Sequence, residues 1–249
     1  SEAAVANKLP DSLPLLPVVD SVLFPKMVTP LLVMQPDSVQ LIDEAMSRDR
    51  MIGMVFAKPD PSQEGPPKPE SYASVGTSAM ILKMAKTPEN RTQLLVQGLG
   101  RFRIKSLVQA EGKAFFQAEV EHLTEDASQN TEIEALMTNI VNLFARVVQG
   151  SPTLPAEVVY MAQSIKEAGT LADMVASSIN ATADEKQKVL ELQPVADRLK
   201  EVTRIVNKQL EILEDYSEFP SEIRDIFFLQ CCKIVTCHTS FSFLKWKLG

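Results

Sequence analysis

Between Leu13 and Leu31 the chain is apolar almost without interruption, yet Pro14, Pro17, Pro25 and Pro30 are threaded through it. Each proline fixes φ and removes a backbone donor, so the run cannot be a helix, nor an interior strand along its whole length. Short strands with rigid corners are expected instead. Apolar stretches bounded by Pro, Gly and Asn/Asp clusters predict strands over 13–18, 28–34, 51–56, 75–86, 93–105 and 114–121. Lys86-Thr87-Pro88-Glu89-Asn90-Arg91 has turn chemistry throughout and makes 75–105 a long hairpin. After Pro36-Asp37-Ser38, the residues Val39, Leu41, Ile42, Ala45 and Met46 recur at helical spacing, which predicts one amphipathic helix on the sheet. Lys58 to Glu70, with Pro59, Pro61, Pro66, Pro67 and Pro69, reads as an exposed loop.

From residue 131 the period changes from two to 3.6. Thr131-Glu132-Ile133-Glu134 reads as a capping box, and Ile133, Leu136, Met137, Ile140, Val141, Phe144, Val147 and Val148 follow on one stripe. Gly150, Pro152 and Pro155 are expected to end that helix and start another, with Gly169 as its stop. Thr170-Leu171-Ala172-Asp173 and Thr182-Ala183-Asp184-Glu185 read as caps of two more. Pro194 suits a first helical turn, and Val195, Leu199, Val202, Val206, Leu210 and Leu213 mark a final long helix. Short connections between such helices predict an antiparallel bundle. The expected organisation is an N-terminal extension 1–12, a β-rich domain 13–124, a helical bundle 131–214 and an atypical apolar tail 215–249.

The proline-threaded opening closely resembles that of the Lon N-terminal domain, the substrate-recruiting module of ATP-dependent Lon proteases. Tyr72-Ala73-Ser74-Val75-Gly76-Thr77-Ser78-Ala79 and Leu94-Leu95-Val96-Gln97-Gly98-Leu99-Gly100-Arg101-Phe102-Arg103-Ile104 look like two later strand motifs of that family. Leu171 to Ala176 and Glu185 to Glu191 resemble its helical part, so the likeness spans roughly residues 11 to 214. Val19 departs from a usual arginine, and Lys26 from a small or polar residue. The resemblance implies an α+β protein: a PUA-like β pseudo-barrel with one helix, then a C-terminal α-helical bundle. It also implies recognition of unfolded or degron-bearing polypeptides and support of oligomer assembly, by self-association or with Lon-type subunits. The alternative is a free-standing adaptor or holdase. No catalytic, cofactor-binding or metal-binding residue is expected.

Composition narrows the chemistry further. With 45% hydrophobic and 23% charged residues, the 249-residue chain has the make-up of a soluble globular protein. Its net charge of −7 argues against phosphate neutralisation as the main task, so nucleic acid is not an expected partner. The only candidate basic strip, Arg101, Arg103 and Lys105, lies at i, i+2 spacing on one strand face and reads as solvated. No basic-then-apolar leader is seen and no apolar run approaches the ~18 residues of a membrane span, so a cytoplasmic protein without a membrane partner is expected. Cys231, Cys232 and Cys237 have no CxxC spacing, and with His238 they read as free thiols and not as a zinc site.

A phosphate loop is lacking, Gly98-Leu99-Gly100 reads as a bulge within a strand, and the two histidines, His122 and His238, offer little material for a catalytic triad. What remains is surface chemistry for binding polypeptide. Met27, Met34, Met46, Met51, Met54, Met80 and Met84 all fall in the β-rich part, where they serve either as core or as an adaptable contact surface. The polar flank of the first helix, Gln40, Asp43 and Glu44, is the expected rim of a protein-binding surface. The tail from Asp215 carries Pro220, Phe227, Phe228, Leu229 and Trp246; it reads as unrelated sequence after a truncation or as an interaction tail.

Overall fold

The computed structural model describes residues 9–217 except 61, 63, 64, 88–90, 110, 111, 126–129 and 152, and it describes side chains only as far as 214. The tail, with its three cysteines and His238, lies outside the described residues apart from the helical backbone of 215–217, as do the first eight residues and Pro61 of the proline-rich loop.

The β-rich half runs β1 (Ser12–Val18), β2 (Val28–Val33), α1 (Pro36–Met46), β3 (Met51–Phe56), β4 (Val75–Lys86), β5 (Thr92–Gln109) and β6 (Phe116–His122). The strand order is β2-β5-β4-β3-β1-β6, and β6 returns to pair with β5. This closes a ring of five strands with β2 attached outside it. The long strand β5 makes both arrangements possible: residues 92–97 pair with β2, while Phe102 to Gln109 pair with β6. Its direction changes between Gly98 and Gly100, where the register against Ser78 and Ala79 slips by one residue, as the glycine pair predicts. Gly98 is needed there because a Cβ would collide with the carbonyl oxygen of Phe24. Of the strand pairs, β1 with β3 is parallel and the others are antiparallel.

Because β3 is buried at every position, the sheet has an apolar core on each side. On one side Leu41, Ile42 and Ala45 of α1 meet Ile52, Ile81 and Val96; on the other, Leu13, Leu15, Val55, Phe102 and Val120 fill the ring.

The helical half comprises α2 (Thr131–Gly150), α3 (Glu157–Ser164), α4 (Ala168–Ser178), α5 (Ala183–Glu191) and α6 (Val195–Ser217). Ile133, Ile140, Phe144 and Val147 of α2 share one core with Leu199, Val202, Val206 and Leu210 of α6, so both expected stripes face inward. The expected capping box at Thr182 forms, with Thr182 and Glu185 exchanging side-chain-to-backbone bonds.

Three local expectations are corrected. The cap of α2 is Asn130, whose Oδ1 accepts from the Ile133 amide at 2.9 Å, so Thr131 is already the first helical residue. Asparagine ranks above threonine at this position, which explains the one-residue shift. Thr170 and Asp173 do not cap a helix but lie inside α4, which begins at Ala168 after Glu167. Gly169 ends nothing: α3 stops at Ser164, and Gly169 is the second residue of α4, where a Cβ would strike the Glu125 carboxylate.

Candidate functional site

The α1 flank is a tethered surface. Gln40 Oε1 accepts from the Ala114 amide at 3.2 Å, Glu44 accepts from Lys113 Nζ at 2.5 Å and pairs with Arg48 at 2.8 Å, and Asp43 stands 3.7 Å from Lys86. Gln40, Asp43 and Glu44 are thus brought together on one helix face, where they meet cations and amides of this same chain.

A different surface carries unpaired apolar area. Strand β2 presents Leu31 and Val33 to the core beneath α1, while the alternate positions Val28, Pro30 and Leu32 point to the opposite side and are exposed. Met34, just beyond the strand, is 60% exposed and Val28 50%. Pro30 lies opposite Leu95 of β5, which lies opposite Lys83 of β4, so this face continues across three adjacent strands. Leu82, in the bulge between Ile81 and Lys83, is exposed as well. An amphipathic strand would carry polar residues at 28, 30 and 32; the chain carries apolar ones on both parities. That signal was present in the sequence.

The methionines divide accordingly. Met51 and Met54 are buried, while Met27, Met46, Met80 and Met84 are partly buried and pack against the cores. Of the seven, Met34 is the one that is openly exposed.

The basic strip also divides. Arg103 and Lys105 are exposed, but Arg101 is only 7% exposed and points into the junction between the two halves. Its guanidinium donates to both carboxylate oxygens of Asp173, at 2.8 and 2.6 Å, and its Nε donates to the Leu190 carbonyl at 3.0 Å. Burial pushes the Asp173 carboxyl up, opposed by the charges of Arg101 and Arg198. Elsewhere on the helical half, Glu185 is held below the usual carboxylate range mainly by Lys208, and Glu201 mainly by Arg204.

His122 is half-buried, its Nε2 donating to the Pro10 carbonyl at 2.9 Å. Among the described residues no group of His, Cys, Asp or Glu is arranged to hold a metal ion, and no helix is long and apolar enough to cross a membrane.

The structure is thus a mixed α+β fold with an exposed apolar sheet face. The family model for the ATP-dependent protease La (LON) substrate-binding domain matches residues 12–208. The chain belongs to this Lon substrate-binding domain family. It is 46% identical over 220 residues to a Lon protease of Syntrophus aciditrophicus, covering 88% of this chain and 28% of that protein. To a Lon protease of Desulfosudis oleivorans it is 41% identical over 219 residues, covering 88% and 26%. The chain therefore spans about a quarter of the length of these relatives. Among solved structures, the N-terminal domain of a Mycobacterium avium complex Lon protease superposes with a TM-score of 0.65 at 23% identity, covering 79% of this chain and 98% of that one. A Lon N-terminal domain protein from Xanthomonas campestris gives 0.55 at 17% identity, covering 78% and 97%. At these identities the superpositions establish the fold.

Proposed function

We propose that this chain recruits unfolded, damaged or degron-bearing polypeptides for an ATP-dependent Lon protease in the cytoplasm. In this reading it also supports assembly with Lon-type subunits and acts by binding, without catalysis of its own. The observation that carries the reading is the exposed apolar face of β2, formed by Val28, Pro30, Leu32 and the adjoining Met34. Such a face gains by removing apolar area from water, and segments with exposed apolar side chains offer that area when a chain is unfolded. Membership in a substrate-binding family supports the same reading.

The α1 flank is the proposed rim. Gln40, Asp43 and Glu44 would contribute orientation more than affinity, because the two carboxylates are already paired with lysines of this chain and the Gln40 amide is already hydrogen-bonded within it.

The experiment is an NMR titration with a reduced, unfolded polypeptide. The expected result is shift changes at Val28 to Met34 and across Leu95. Changes confined to the helical half, or none at all, contradict the proposal.

A further inference from the structure

Where the two halves meet, apolar contacts are flanked by polar ones. Phe24 and Val75 are the barrel residues fully buried in the helical core, joined by the partly buried Val22, Met27 and Leu123. Around them, four polar side chains cross the junction. Arg101 of β5 reaches Asp173 of α4 and the backbone of α5 at Leu190. Gln187 of α5 donates to the Val75 carbonyl at 3.0 Å. Lys26 bonds Glu167 and, at 3.0 Å, Thr170 at the start of α4. Glu125, in the connection after β6, pairs with Arg198 in the first turn of α6, and its carboxylate is seated over Gly169. Arg198 is 1% exposed and lies 3.7 Å from Asp173, so Arg101, Asp173, Arg198 and Glu125 form one continuous cluster. A cavity of about 170 Å³ lined by these four, Lys26 and Thr170 lies beside it.

Two buried guanidiniums and a buried carboxylate are a costly way to hold surfaces together. Desolvating ions offsets most of their mutual attraction, and apolar replacements of similar volume are often neutral or stabilising. What charged groups provide that apolar ones do not is geometry: the fork of Arg101 meets both oxygens of Asp173 in one orientation only. We propose that the Arg101–Asp173–Arg198–Glu125 cluster is an orientation key, which sets the angle of the barrel on α4 and α6 while adding little to the stability of either half. The cluster joins strand β5, whose first half carries Leu95 in the apolar face, to the first turn of the longest helix. The direction in which that face points is thereby fixed relative to α6. The adjoining cavity gives the groups room to part.

The test uses the full chain with Cys231, Cys232 and Cys237 replaced by serine and spin labels at Ser106→Cys on β5 and Gln163→Cys on α3, both exposed. The unmodified cluster should give one narrow distance distribution by pulsed electron resonance. Asp173→Asn keeps the shape and removes the charge. The pair Arg101→Met with Asp173→Leu replaces the ions by apolar groups. Both should raise the population of other distances at least about tenfold, and the double variant should melt cooperatively at or above the parent's temperature. A distribution that stays narrow in both variants overturns the proposal. So does failure of both variants to melt cooperatively, because the cluster would then be required for folding itself.

Discussion

The two halves of the molecule use apolar surface in opposite ways. In the helical half the stripes of α2 and α6 are consumed by one shared core, and α4 is buried over nearly all its length. In the β-rich half the ring of strands encloses one core and α1 covers the other, but β2, attached outside the ring, leaves Val28, Pro30 and Leu32 to solvent. Apolar residues that find partners within the chain hold it together; those without them are available to other molecules. On the proposed reading, stability resides in the core of α2 and α6 and recognition on the face of β2.

Substitutions can break this contrast. The largest effects belong to the buried groups. Phe144→Ala removes a fully buried ring and should cost about 3–5 kcal/mol in denaturant unfolding. Arg101→Met alone strands the buried Asp173 carboxylate without its bidentate partner and should cost a similar ~3–5 kcal/mol, largely recovered when Asp173→Leu is added. Leu136 lies on the same stripe as Phe144 but is only partly buried, so Leu136→Ala should cost about 1 kcal/mol. On the exposed face Leu32→Thr should change unfolding by no more than about 0.5 kcal/mol, since it removes little buried area and keeps a strand-compatible side chain.

Acid sharpens the contrast within the helical half. Glu185 and Glu201 have lowered native pKa values, so their pairing stabilises the fold above the ordinary glutamate value of 4.5 and is lost as pH falls through the lowered values. Asp173 has the opposite sign: its native pKa is raised above 3.8, so its charged form costs stability above the raised value and protonation relieves that cost as pH falls. Acid unfolding should thus begin earlier in the parent than in Glu185→Gln measured against its own neutral-pH stability. Asp173→Asn should lose more stability on acidification than the parent over the same range.

Much of this was legible in the chain itself. The six strands and α1 stand within a few residues of their expected bounds, because proline and glycine punctuation is local and period-two burial follows directly from it. The core stripes of α2 and α6 were legible for the same reason at period 3.6. Arg101 was not. Its partner lies 72 residues away, and on a strand its spacing with Arg103 and Lys105 is that of a solvated face. Asp173, three residues after a threonine, imitates a cap, and only tertiary contact distinguishes the two roles. The apolar residues at both parities of β2 are legible in the sequence, but which parity is left exposed follows only once α1 is seen to cover the other side.

The most direct test of the central claim is the affinity of the chain for a fluorescent, reduced and unfolded polypeptide, read by anisotropy. The parent is compared with the triple variant Val28→Thr, Leu32→Thr and Met34→Thr and with Gln40→Ala. The triple variant should weaken binding about tenfold or more at an unchanged unfolding midpoint, given ~25 cal/mol per Å² of apolar area withdrawn from water, and Gln40→Ala should change it little. Unchanged affinity in the triple variant would contradict the account and move recognition away from the β2 face.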